Sequence, residues 1–120
     1  MADRTGALTH PRHELDELLG HQVRFSIMAL LAAASRAEFR FVRDQVEVPD
    51  SVLSKQMSAL EQAGYVKVEK GFIGKRPRTW LSLTQAGRQA WERHLAALRS
   101  IADWQPTSAP DPPGEVTVSR

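Results

Sequence analysis

Lys75, Arg76 and Arg78 place three cations within four residues, beside Gly71, Gly74 and Pro77. Guanidinium and ammonium groups at this density do one kind of chemistry well. They hold phosphate or carboxylate oxygens through charge-assisted hydrogen bonds. Crowded on one loop, they repel one another unless an anion meets them. A second group, Ser51, Ser54, Lys55 and Ser58, with Gln62 one turn on, recurs at spacings of one, three and four, so a helix puts it on one face. No acid stands between Ser51 and Glu61. A solvated helix face usually mixes long charges of both signs, whereas short hydroxyls beside a lysine suit close approach to a polyanion.

Other reactive chemistry finds little support. The chain has no cysteine, which removes disulfides, thiol nucleophiles and thiolate metal sites. Of the four histidines, His13 and His21 are eight residues apart, not the three or four that brings two ligands onto one helix face. Paired with Glu14 or Glu17 they remain a minor carboxylate–imidazole candidate; hydrogen-bonded or surface histidines are the plainer expectation. Glu14, Asp16 and Glu17 fit the first turn of a helix, where the macrodipole favours acids. Gly71-Phe72-Ile73-Gly74 lacks Walker spacing. No enzyme, metal or cofactor is expected. Trp80, Trp91 and Trp104 are read as packing under the hairpin, in the core or a dimer seam, and in a dimer contact.

The elements that position these groups follow from periodicity. Leu15, Leu18, Leu19, Val23, Ile27, Leu30 and Leu31 recur every three or four residues, with Gly20 splitting a short helix from a longer one over Gln22–Ala34. A second helix is expected from near Ala37, capped by Ser35 and burying Phe39, Val42 and Val46, with Phe41 left partly exposed. On it Arg36, Arg40 and Arg43 share a face. Val48 before Pro49 breaks the helix, and Asp50 is placed to cap the next, Ser51 to Ala63, which ends at Gly64. Tyr65–Lys70 and Thr79–Leu83 alternate as strands, joined by a loop over Gly71–Arg78. A last helix runs from Thr84 to about Asp103 on Ala86, Ala90, Trp91, Leu95 and Leu98.

The length of 120 residues suits one domain, and 42% apolar with 25% charged residues is ordinary for a globular chain. A folded region is expected over residues 13–104, between an unstructured arm (1–12) and a Pro-rich tail (105–120). The longest apolar run, Ile27–Ala34, has eight residues, too few for a membrane span. With no apolar leader at the start, a cytoplasmic location is expected. The net charge is only +2, yet residues 51–100 carry nine basic and three acidic groups. That block is an electrostatic footprint for a polyanion.

Helix, helix–turn–helix, basic hairpin and final helix, in this order, make a mainly α fold with a small β-hairpin: a winged helix–turn–helix. The stretch Ser51–Val66 resembles the recognition helix and first strand of MarR/ArsR-type transcriptional regulators. Gly74–Arg88 resembles their wing, second strand and last helix, with a junction similar to that of PadR-type regulators. The resemblance covers roughly residues 14–102. It implies a homodimer packed through the first and last helices, binding a palindromic operator in double-stranded DNA, as a repressor. It also implies that Ser51, Ser54, Lys55 and Ser58 face the major groove and that Lys75, Arg76 and Arg78 contact DNA from the wing. Gln56 is counted with the helix residues, and Arg36 is placed against phosphate. The absence of cysteine departs from thiolate metal sensors, and the last helix is shorter than those enclosing ligand pockets in larger MarR proteins. A small-molecule effector at the dimer interface stays open. The alternatives are a protein-interaction module and a sequence-indifferent architectural DNA binder.

Overall fold

The computed structural model describes residues 9–107, with four α-helices and a three-stranded antiparallel sheet of order β1-β3-β2. Two single-turn 3-10 segments, Pro11–Glu14 and Glu17–Gly20, open the fold. Ordered structure thus begins inside the expected arm. The remainder of the arm and most of the tail lie outside the described residues.

Helix α1 (Gln22–Ala33) follows Gly20, as the interrupted leucine stripe predicts. It buries Ile27, Met28 and Leu31, and Leu19 from the preceding turn joins them. His10, His21 and His94 each accept a backbone N–H through Nδ1, from Arg12, Val23 and Asp16. Three of the four histidines therefore have hydrogen-bonding roles in the frame.

The second helix departs from expectation at its start. Ala37–Glu38 forms β1, pairing with Leu81 and Trp80 of β3, and α2 spans Phe39–Val46. Glu38, not Ser35, occupies the cap position, without a side-chain bond. The long-range ladder satisfies backbone groups that a helix start would have left to water. Arg36 consequently precedes the helix and does not share a face with Arg40 and Arg43. Phe39 packs on the core and Phe41 is exposed.

Glu47 closes α2 with φ +63°, its N–H donating to the Arg43 carbonyl at 2.9 Å. Helix α3 then spans Asp50–Gln62, with Pro49 at the cap position and Asp50 inside the first turn. Gly64 ends the element with φ +82°. Its N–H donates to Glu61 O, and that of Tyr65 to Leu60 O, at 2.9 and 3.0 Å; this is a Schellman closure.

Strands β2 (Val66–Ile73) and β3 (Arg76–Leu83) are longer than the sequence pattern predicts. Gly71 pairs with Arg78 and Phe72 with Pro77, leaving only Gly74-Lys75 as the turn. Gly74 has φ +62°, which suits the first position of a two-residue hairpin turn. Pro77 is tolerated because β1 reaches only Leu81 and Trp80, so β3 is an open edge there.

Helix α4 (Gln85–Asp103) begins at Thr84, whose hydroxyl accepts the Gly87 N–H at 2.9 Å. Its buried face is Gly87, Ala90, Trp91, His94 and Ala97, rotated from the expected one. Ala86 and Leu98 are exposed. Leu19, Ile27, Leu31, Val42, Leu53, Leu60 and Leu81 form the fully buried centre shared by all layers.

Candidate nucleic-acid interface

Helix α3 is anchored by Leu53, Met57 and Leu60 in the core. That orientation leaves Ser51, Ser54, Lys55 and Ser58 exposed. Gln56 departs from the expected set: it is 8% exposed, and its Oε1 accepts from Arg24 Nη1 at 2.7 Å. Arg24 also donates through Nε to Leu18 O at 2.6 Å. Gln56 thus locks α3 to α1, and it lies between the outward serines only in sequence.

A cleft of about 400 Å³ separates α3 from the hairpin, lined by Ser54, Met57 and Ser58 on one side and Val68, Lys70 and Thr79 on the other. Beyond it the wing projects Lys75 and Arg76 into solvent. Arg78 is engaged differently. Its Nε lies 2.6 Å from Glu38 Oε2, with side-chain exposures of 15% and 25%. The contact is an ion pair without hydrogen-bond alignment, since Glu38 Oε2 has no aligned donor. It fastens β3 to the end of β1.

The other arginines also divide. Arg36 stacks over Trp80, with Cζ 4.2 Å from the ring centroid, so Trp80 packs under this cation on the outer face of the sheet. Arg43 bridges Asp44 and Asp50, each at 2.9 Å, joining α2 to α3 across the turn. Hydrogen bonding to these carboxylates pushes its pKa still higher, and the same bond holds Asp44 below its ordinary range. Arg40 is exposed, beside a cleft of about 320 Å³ that it shares with Arg43 and Arg78.

Sequence reasoning missed Phe72 and Ile73, which are 72% and 54% exposed beside the wing cations. The signal was present. The alternation starting at Val66 continues through Phe72, but the two glycines made this stretch read as loop. Among the described residues, no group of three or more His, Asp or Glu side chains is placed to hold a metal. No helix there is long and apolar enough to cross a membrane.

A sequence profile of winged helix DNA-binding domains matches residues 23–102. The chain belongs to the winged helix DNA-binding domain family. An uncharacterized protein of Methanocaldococcus jannaschii is 30% identical over 80 residues, covering 67% of this chain and 87% of that protein. The solved transcriptional regulator homologue from Pyrococcus horikoshii is similar at 31% identity and a TM-score of 0.69, over 73% of this chain and 87% of that one. Reduced AbfR bound to DNA shares the fold at 20% identity and a TM-score of 0.60, over 82% of this chain and 66% of that one. The winged helix chain is a DNA-binding transcriptional regulator rather than an enzyme.

Proposed function

We propose that this winged helix protein binds a palindromic duplex operator as a homodimer and represses transcription by occupying it. The observation that carries the reading is the shared cleft: the polar face of α3 borders one side and the basic hairpin the other. Ser51, Ser54, Lys55 and Ser58 enter the major groove and choose sequence, while Lys75 and Arg76 hold phosphate or the neighbouring minor groove. The DNA-bound AbfR structure supports this use of the fold. Repression needs only occupancy of promoter DNA.

Dimerisation is supported by apolar surface on the first and last elements. Leu98 and Trp104 are exposed, and Leu15, Leu19, Phe25, His94 and Leu98 line a cleft of about 460 Å³. A second protomer covering this face buries it, and a small apolar effector has room at the same seam.

Selection from a randomised duplex pool at about physiological salt tests the proposal. An enriched inverted repeat with half-sites about one helical turn apart is the expected result. Binding without enrichment replaces it with an architectural role. Absence of binding leaves a protein-interaction module.

A further inference from the structure

We propose that the wing tip carries an apolar wedge, Phe72 backed by Pro77, which enters the minor groove beside Lys75 and Arg76 and partly unstacks a base step. The protein then favours operators with an easily unstacked pyrimidine–purine step outside each half-site. This inference rests on the DNA-binding reading above and deepens it.

The register fixes the geometry. Val68, Lys70 and Phe72 alternate onto one face of the hairpin, together with their partners Leu81, Thr79 and Pro77. The inner members of this set line the cleft against α3. Phe72 and Pro77 continue the same face one step farther out, past the body of the protein, where Phe72 is 72% exposed. The ladder and the two-residue turn at Gly74 hold the ring in place, so ordering it on binding costs little entropy.

Charge selects the occupant. Residues 70–78 contain Lys70, Lys75, Arg76 and Arg78 and no acid. An aromatic ring surrounded by cations matches a groove with phosphate walls and a floor of stacked bases. Apolar side chains of this type wedge between base steps in the minor groove, and pyrimidine–purine steps resist least.

The test uses the full chain, the selected operator duplex and 2-aminopurine at the flanking step. Wild-type binding is expected to raise 2-aminopurine fluorescence, as an unstacked base requires. Phe72→Ala, an exposed position that leaves the fold intact by circular dichroism, is expected to abolish that rise. It also weakens binding about tenfold, the scale of one lost aromatic–base contact, with the salt slope unchanged. Phe72→Trp restores both. Exchanging the flanking TA or CA step for a stiff A-tract is expected to weaken the wild type and not Phe72→Ala. Unaltered affinity and fluorescence in Phe72→Ala overturns the wedge alone. A changed sedimentation mass of free Phe72→Ala also overturns it, marking the tip as a protein contact. A wild type that binds no duplex overturns the DNA-binding reading beneath it.

Discussion

The carbonyl oxygen of Tyr65 occupies the space that a side chain at Gly87 would need, so that a Cβ built there overlaps the Tyr65 backbone. The same carbonyl accepts the Thr84 N–H at 3.0 Å, and the Thr84 hydroxyl donates to Gly64 O at 2.6 Å. The end of α3 and the start of α4 are therefore one joint. It sets the angle at which the hairpin leaves the body, and with it the distance between wing and recognition helix.

Gly87→Ala is expected to destabilise the protein by about 2–3 kcal/mol, the usual range for forcing a methyl group into a packed site. Urea unfolding reads it as a lower midpoint at constant slope. A change within about 0.5 kcal/mol, typical of surface positions, would show that the joint yields.

Gly87 illustrates what the sequence conveys and what it hides. The periodicity of Leu53, Met57 and Leu60, the break at Pro49 and the stop at Gly64 are local signals, and the structure follows them. Gly87 and His94 lie on the buried face of α4 because of contacts with Tyr65 and Asp16, which no helical pattern announces. Ala37–Glu38 became a strand for the same reason, since its partners are more than forty residues away. In the candidate site, the serines and Lys55 were readable from spacing. The withdrawal of Gln56 and the pairing of Arg78 were not, because Arg24 and Glu38 are distant in sequence.

Glu47 holds φ +63° without being glycine. A left-handed conformation costs an L-residue about 1–2 kcal/mol, partly offset in a glycine variant by greater unfolded-state entropy. Glu47→Gly is therefore expected to raise stability by about 0.5–1 kcal/mol. A lower melting midpoint would mean that the Glu47 side chain contributes more than the backbone strain costs.

His94 is 3% exposed, with Nδ1 accepting from Asp16 N at 3.0 Å. Burial pushes its pKa below 6.5, against the opposing pull of the Asp16 carboxylate. That carboxylate also accepts from the Tyr65 hydroxyl at 2.5 Å, a bond that raises the tyrosine pKa. Below about pH 6.5 the unfolded chain binds a proton that the folded chain resists, so this contribution to stability is whole above that pH and lost as pH falls. His94→Asn keeps an acceptor and removes the titration. Its stability is expected to fall less than wild type between about pH 6.5 and pH 5. Parallel curves would exclude His94 as the source.

Lys55 and Ser54 are exposed on a helix fixed from below by Leu53, Met57 and Gln56. Replacing either with alanine is expected to relax choice among duplexes, by about 1–3 kcal/mol between selected and random DNA. Competition binding measures that ratio. An equal loss on both duplexes would assign these side chains to phosphate.

Arg76 and Arg78 stand two residues apart on one face of β3, yet they make different predictions. Arg76 is exposed, whereas Arg78 is paired with Glu38 at 2.6 Å. Only a cation free to neutralise phosphate releases counterions, and each such contact adds about −0.9 to the slope of log K against log salt. Arg76→Ala is therefore expected to make the slope about one unit shallower per protomer and to weaken all duplexes alike. Arg78→Ala leaves the slope near that of wild type. Its cost appears instead in the free protein, where Glu38 loses its counter-charge and β3 its tie to β1. An equal change of slope in both variants would show that Arg78 leaves Glu38 when DNA arrives. The ion pair would then be a latch that DNA opens rather than a fixed brace of the wing.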